Sequence, residues 1–508
     1  MARRSKKAYA RLMARHRLLT AIWIMQLIAE VLVLAGIWQL DMLPQKYFTL
    51  VIAGFALLSL LTAILLLPVR TGRLQGVVGV MMSVLVFAGS CVGSMMLLDA
   101  QGTIEGIVGQ VSSRASVAVY VKDEDPAREL ADAARYEFGI VSGYETERIT
   151  EAVSAIEEEL GTTIRISEYA GAEDLMNAFF DDEVEALILN SAYVDILEEI
   201  EGYEDLPRRI RLLHEVKISS WIPIVDNGGT APAQKGDSIV DETFVIYVSG
   251  SDTRNSTLAT SRSDVNILVV VNPQTKQVLL LNTPRDYYIP NPVSSVGTKD
   301  KLTHCGIYGI ECSMEALSNL YDVDVDYYAQ INFTGFETMI DAIGGITIHS
   351  DASFTTNDGY RIVKGENDLN GKEALSFARE RKHLAGGDNE RGQNQMKVIK
   401  AVIGKMTSGS TIISNYADIM GSLEGMFATS IPMNELSSLV KMQLEDMAQW
   451  DIHSFAVTGF NGSEYTYSAP GTRVYVMYPD DDMVAHASGL IDRVIAGEIL
   501  TDDDMIVE

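Results

Sequence analysis

The stretch Arg262–Asp286, RSDVNILVVVNPQTKQVLLLNTPRD, sets the architecture of this chain. Val265–Val271 and Gln277–Asn282 are nearly continuous apolar runs rich in branched side chains. That is the pattern of strands covered on both faces within a buried sheet. The turn residues Asn272–Thr275 join them, so the two are neighbouring strands. Charge is excluded from both runs and gathers at their ends. Arg262 and Asp264 precede the first, and Arg285 and Asp286 follow the second.

Outward from this pair, strands alternate with helices. Phe244–Ser249 is strand-like. Ser313–Leu320 and Phe336–Ile343 are helical, and Gly344–Gly345 stops the second before Ile346–His349 resumes as strand. Asn389–Met406 is a long helix with Ile399, Val402, Ile403 and Met406 at i, i+3, i+4 and i+7. His453–Val457 and Arg473–Met477 suggest an edge pair. The segment 243–500 is therefore one α/β domain. A Gly/Pro/polar linker over 223–242, with Asp226–Asp241 its core, separates it from a second α/β unit over 114–222. In that unit Ser116–Val121, Thr163–Ser167 and Val184–Leu189 are strand-like. Glu145–Leu160, Asp174–Phe180 and Tyr193–Ile200 are helical. No catalytic constellation is visible there, and Gly102–Ser113 reads as a short connector to what precedes it.

Three apolar runs fill the first hundred residues, at Leu18–Leu40, Phe48–Pro68 and Leu74–Leu98. Each is long enough to cross a hydrocarbon core of about 30 Å. The whole chain of 508 residues carries a net charge of −29. Residues 1–100 are net +7 and residues 101–508 net −36. Seven Lys and Arg residues precede the first span, Arg70 and Arg73 separate the second from the third, and Lys46 alone separates the first from the second. The positive-inside rule puts the tail 1–17 in the cytoplasm and everything after the three helices of 18–98 outside the cell membrane. Glu30 lies within the first span, either as a functional intramembrane carboxylate or facing a neighbouring helix or a lipid headgroup. Collagen-like, disulfide-scaffold and disordered classes are excluded by 47% hydrophobic content and three Cys. Cys305 and Cys312 are spaced for either a short disulfide loop or two thiols, and not for zinc. Topology accounts for the basic tail, so no nucleic-acid partner is expected.

Four charged strings lie where strands and helices end: Gly250–Arg254, Arg262–Asp264, Pro284–Asp286, and Phe377–Arg381 with Asp388, Arg391 and Gln395. Asp252 and Asp264 are two carboxylates at strand mouths, suited to a hard cation such as Mg²⁺. Arg285, Arg379, Arg381 and Arg391 are guanidinium forks suited to phosphate oxygens. Arg379 and Arg381 diverge on a regular helix and converge only at a helix end. Arg391 and Gln395 share a face in the first turns of their helix, where the helix dipole also favours an anion. Acids with clustered arginines outside a membrane suggest a pyrophosphate ligand, and a lipid-linked sugar is the large external substrate that carries one. There is no P-loop, GxSxG or HExxH.

These strings resemble the LytR–CpsA–Psr family of envelope enzymes. The pieces are GSDTR (250–254), RSDVNILVVVNPQTKQVLLLNTPRD (262–286), KLTH (301–304), INFTGFETMIDAIGGI (331–346), LNGKEALSFARERK (369–382) and DNERGQNQ (388–395). With multiple spans and an accessory domain the layout is similar to capsule-type members. The resemblance implies a phosphotransferase that moves a glycopolymer, capsular polysaccharide or teichoic-acid-like, from a polyprenyl-pyrophosphate carrier onto peptidoglycan, in contact with capsule-assembly proteins. It implies Mg²⁺ on Asp252 and Asp264, with Arg285, Arg379, Arg381, Arg391 and Gln395 gripping the pyrophosphate. Arg254, Arg262 and Lys301 fall near the same site, and general base is a second role open to Asp252. It also implies an apolar tunnel for the prenyl tail, with Phe333, Phe336, Met339 and Ile340 as candidates for its lining or for ordinary core. A pyrophosphate hydrolase uses the same donor groups. A non-catalytic regulator of capsule assembly has no need of paired metal-binding acids.

Overall fold

The structure, a computed structural model of the full chain, describes residues 2–69, 72–107, 116–142, 146–198, 202–217, 239–251, 261–384, 386–408, 426–469 and 471–507. The linker core 226–238 lies outside the described residues, as do Asp252 and Arg254.

The apolar runs form helices α1 (Ala2–Leu40), α2 (Gln45–Leu66) and α3 (Arg73–Ile107). Within them Tyr9–Leu40, Gln45–Leu66 and Arg73–Asp99 are long and apolar enough to cross a membrane. The basic tail is helical and continuous with the first apolar run, since α1 begins at Ala2. Of the connector expected over Gly102–Ser113, residues 102–107 are the last turns of α3 and 108–113 lie outside the described residues. Leu32, Leu60 and Leu85 point outward, as a lipid-facing surface requires. Glu30 points inward and is only 3% exposed. It accepts hydrogen bonds from Gln26 (2.7 Å) and, across to α2, from the Ser59 hydroxyl. It therefore faces a neighbouring helix, where polar side chains join spans.

The first α/β unit contains β1 (Ser116–Lys122), β2 (Glu137–Val141), α4 (Thr146–Leu160), β3 (Arg165–Tyr169), α5 (Ala172–Phe180), β4 (Ala186–Asn190) and β5 (Ile210–Lys217). Its sheet runs β3-β2-β4-β1-β5. The helix expected over Tyr193–Ile200 is, where described, a 3₁₀ turn at Ser191–Tyr193 and one helical turn at Val194–Leu197.

The second unit is built from β6 (Phe244–Ser251), β7 (Ser263–Asn272), β8 (Gln277–Asn282), β9 (Tyr288–Pro290), β10 (Lys299–Lys301), α6 (Ile310–Tyr321), β11 (Tyr327–Asn332), α7 (Phe333–Ala342), β12 (Ile346–Ser350), β13 (Gly365–Leu369), α8 (Gly371–Arg379) and α9 (Gly387–Thr407). It continues with β14 (Phe427–Thr429), α10 (Met433–Asp446), β15 (Asp451–Ala456), β16 (Gly459–Tyr465), β17 (Arg473–Pro479) and α11 (Asp481–Ile495). The main sheet has the order β14-β11-β6-β7-β8-β15. The expected edge pair is corrected here: β15 pairs parallel with β8, whereas β17 pairs with β16 in a separate ribbon. Helix α10, although it follows in the chain, is not part of this α/β unit and belongs to the compact unit of the membrane helices. Ser437 donates to the Leu40 carbonyl (3.2 Å), Lys441 pairs with Asp41 (2.6 Å), and Lys46 donates to the Glu445 carbonyl (2.8 Å).

Strand periodicity separates the two faces of the main sheet. Val245, Tyr247, Leu268, Val270, Leu279 and Leu281 join one core with side chains of α6 and α11. That buried cluster continues through Leu302, Ile307 and Tyr308 into Tyr193, Ile196 and Leu197 of the first α/β unit. The two α/β units therefore share a core. Cys305 and Cys312 are buried in it as free thiols, and the hydrogen bond with Cys312, followed by burial, pushes the Cys305 thiol well up.

Candidate functional site

The opposite face of the sheet borders a cavity of about 1240 Å³. Ile246 and Val248 of β6, Val269 of β7 and Ala329 and Ile331 of β11 form its floor. Phe333, Phe336 and Met339 of α7 also line it, whereas Ile340 is 0% exposed and belongs to the packed interior.

Topology brings the charged strings to one end of this cavity. β6 and β7 are antiparallel, as are β7 and β8, while β6 and β11 are parallel. The C-terminal ends of β6, β8 and β11 and the start of β7 therefore lie along one sheet edge. Asp264, Arg285, Asp286 and Phe333 emerge there. Arg285 Nη1 donates to Asp264 Oδ1 at 2.7 Å, and both side chains are 17% exposed. Lys301, 3% exposed, places Nζ 3.3 Å from Asp286 Oδ1, and Arg285 Nε lies 3.6 Å from Asp286 Oδ2. Burial raises the Asp264 carboxyl, but the Arg285, Arg391 and Arg262 guanidiniums outweigh it and hold it below the usual carboxylate range. Asp264 is thus an ionised oxygen donor, the kind of ligand Mg²⁺ takes. Among the described residues no group of three or more metal-ligating side chains occurs.

Helix α8 begins at a reciprocal cap. Asn370 accepts from the Glu373 N–H (3.1 Å) and Glu373 from the Asn370 N–H (3.0 Å). The helix ends at Arg379, and Glu380 is extended (φ −67°, ψ 133°), which gives the helix-end geometry two neighbouring arginines need. Glu380 turns inward, 1% exposed. It accepts from the backbone N–H groups of Asn357 (2.7 Å), Arg381 (3.0 Å) and His383 (3.1 Å). Burial raises its carboxyl, and these donors bring it below its usual value. Arg379 and Arg381 flank it, are exposed, and line the cavity. The Arg379 guanidinium stacks 4.3 Å from the Phe333 ring centroid.

Helix α9 runs along the cavity wall. Arg391 and Gln395, each 8% exposed, lie near its start, and Val398, Ile399, Val402 and Ile403 follow on the same face. One stripe thus changes from polar to apolar along its length. Gly392 permits the close approach of this helix to the end of β8. A Cβ there would sit 2.2 Å from Asn282 Nδ2.

Of the ten residues singled out from sequence, Arg262, Asp264, Arg285, Lys301, Arg379, Arg381, Arg391 and Gln395 all line this cavity. Asp252 and Arg254 lie outside the described residues.

A model of the LytR_cpsA_psr family matches residues 226–478. A Bacillus licheniformis protein named polyisoprenyl-teichoic acid–peptidoglycan teichoic acid transferase TagU is 33% identical over 227 residues, 44% of this chain and 68% of the relative. This chain belongs to the LytR–CpsA–Psr family. The Bacillus subtilis TagU is 32% identical over 212 residues, 42% of this chain and 63% of that relative. The crystal structure of B. subtilis TagV covers 51% of this chain at 24% identity, with a TM-score of 0.42.

Within this member of the LytR–CpsA–Psr family, sequence reasoning missed several cavity residues, among them Asn357, Asp358 and Ser376. Asp286 anchors Lys301, but read only as one more charge in its string. Tyr475 lines the cavity from β17, nearly 190 residues beyond Arg285. Glu198 of the first α/β unit lines it as well, from a segment with no motif.

Proposed function

We propose that this chain is a membrane-anchored phosphotransferase that moves a glycopolymer from a polyprenyl-pyrophosphate carrier onto peptidoglycan. One observation carries the reading: the cavity is arginine-rich at one end and apolar at the other, and α9 spans both. A ligand with an anionic head and a hydrocarbon tail matches that gradient. The relatives named as teichoic acid transferases support a cell-wall polymer as cargo, and capsular polysaccharide is within the same class.

In the reaction an acceptor hydroxyl attacks the phosphorus nearer the glycan. The new P–O bond forms as the bond to the lipid phosphate breaks, and that phosphate leaves with the electron pair. Charge develops on the transferring and leaving oxygens, so fixed cations are the principal requirement. Arg285, Lys301 and Arg391 supply buried positive charge, and Arg379 and Arg381 supply it at the mouth. Asp264, with Asp252 from outside the described residues, would hold Mg²⁺; when bound, the cation neutralises pyrophosphate charge. Asp252 is also the group the sequence offers for the hydroxyl proton.

The test incubates the detergent-solubilised full chain with a lipid-linked glycan, Mg²⁺ and peptidoglycan. Release of lipid phosphate matched by attached glycan is expected. Release without attachment would make the protein a hydrolase. No turnover, together with unaltered envelope glycan in an Asp264→Ala strain, would overturn the enzymatic reading.

We further propose that the N-terminus is cytoplasmic and the cavity extracytoplasmic. Reporter fusions after Pro68 and after Leu98 should then read cytoplasmic and external respectively. A cytoplasmic signal from the second would reverse the topology.

A further inference from the structure

One face of the ribbon of β16 and β17 is exposed along most of its length, and only Met477 on it is buried. Its register pairs Tyr465 with Arg473, Ser463 with Tyr475, and Asn461 with Met477. Strand alternation puts Asn461, Ser463, Tyr465, Arg473 and Tyr475 on that face, and all five are exposed. Val474 and Val476 turn the other way and are buried. The ribbon is fastened to the anion site, because the Met477 N–H donates to the Asp286 carbonyl (2.8 Å). Two residues along the strand Tyr475 lines the cavity, and two further on stands Arg473, each step roughly 7 Å.

We infer that this face is a saccharide ledge, which holds the first sugars of the donor glycan as they leave the cavity. The inference rests on the reading of the cavity as a lipid-pyrophosphate site. The chemistry is that of sugar recognition. A pyranose has an apolar C–H face and a rim of hydroxyls, and tyrosine offers a flat apolar ring with a polar tip. Tyr475 and Tyr465 supply two rings in succession, with Asn461, Ser463 and Arg473 as hydrogen-bonding groups between them. Both rings are held in place. The Tyr475 hydroxyl donates to Asn461 Oδ1 (2.7 Å), and the Arg473 guanidinium lies 5.4 Å from the Tyr465 centroid. Glu464, the ribbon's single acid, accepts from the Tyr478 hydroxyl (2.6 Å) on the opposite face, and its other carboxylate oxygen lies 3.6 Å from the Arg473 guanidinium. In an exterior of net −36, a face whose one nearby carboxylate is paired with Arg473 suits neutral or phosphate-bearing sugars. Continuity names the source: Tyr475 belongs to the ribbon and also lines the cavity that holds Arg285 and Lys301, so a glycan leaving that cavity along the ribbon meets Tyr475 first.

The experiment uses the full chain in lipid nanodiscs and isothermal titration with two probes. These are geranyl pyrophosphate and geranyl pyrophosphate capped with N,N′-diacetylchitobiose. The capped probe should bind the wild type at least fivefold more tightly. The double variant Tyr465→Ala/Arg473→Ala should lose that advantage and keep its affinity for geranyl pyrophosphate. Tyr465→Phe, which preserves the ring, should retain it and guards against misfolding. Equal binding of the two probes to wild type, or an advantage that survives the double variant, overturns the ledge alone. Wild type that binds neither probe overturns the cavity reading and the ledge with it. Co-sedimentation with peptidoglycan sacculi separates the acceptor. Retention unchanged in the double variant supports the assignment, and loss confined to this arm overturns it.

Discussion

Arg285 is the residue on which the site turns. It holds Asp264 at 2.7 Å, is itself mostly buried, and emerges from a sheet edge that also presents Asp286 and Lys301. Removal leaves an ionised Asp264 without its nearest partner. Arg285→Ala should therefore lower transfer at least tenfold, about 1.4 kcal/mol of transition-state stabilisation; a wild-type rate would remove it from the site. Glu380 offers a prediction in pH. Its folded pKa lies below the unfolded value of 4.5. The stability it contributes is thus fully present above that unfolded value and lost as pH falls through the depressed folded one. Denaturant unfolding of wild type and Glu380→Gln should show the same gap at pH 7 and at pH 5, and a narrower one near pH 3. A gap constant throughout would mean that the ionised carboxylate does not hold the turn between Arg379 and His383.

Among the elements, α9 and α7 contrast most usefully. Val402 lines the cavity and is only partly covered by protein, while Ile340 has no exposed surface. Ile340→Ala should cost about 2–5 kcal/mol of stability, the usual result for a filled core. Val402→Ser should leave the unfolding midpoint nearly unchanged and weaken binding of a prenyl pyrophosphate. Comparable destabilisation by both would show that the α9 stripe is ordinary core. The same contrast explains what could be read in advance. The runs at 265–271 and 277–282 were legible as neighbouring strands because branched apolar residues have few other homes. The charged strings were legible as strand ends because charge is excluded from the runs. Whether an apolar stripe meets protein or an empty space leaves no mark on periodicity, so Ile399, Val402 and Ile403 read alike in either case. The ribbon was misread because Gly459–Tyr465 has too few apolar residues to announce a strand, and Arg473–Met477 was therefore matched to the wrong partner.

At the scale of the whole molecule, the two α/β units share a core and more. The Tyr193 hydroxyl donates to the Ser468 carbonyl, the Ser468 hydroxyl to Asp300, and Asp300 accepts from the Lys301 N–H (2.9 Å). A chain of hydrogen bonds thus runs from the first unit to the backbone of Lys301, whose side chain belongs to the site. Calorimetry of 114–508 should give one unfolding transition, lowered by Tyr193→Phe, which strands a buried carbonyl at a cost of about 1–3 kcal/mol. Two transitions, with only the earlier one moved, would make the units independent. None of this was visible in sequence, since Tyr193 and Ser468 lie in unremarkable segments 275 residues apart. The cavity has a last consequence, in thermodynamic linkage. A fold that leaves about 1240 Å³ open collects part of its stability only from what occupies that space. Ligand at a hundred times its dissociation constant adds about 2.7 kcal/mol, so the melting temperature of a preparation doubles as a gauge of how much lipid came with it from the membrane.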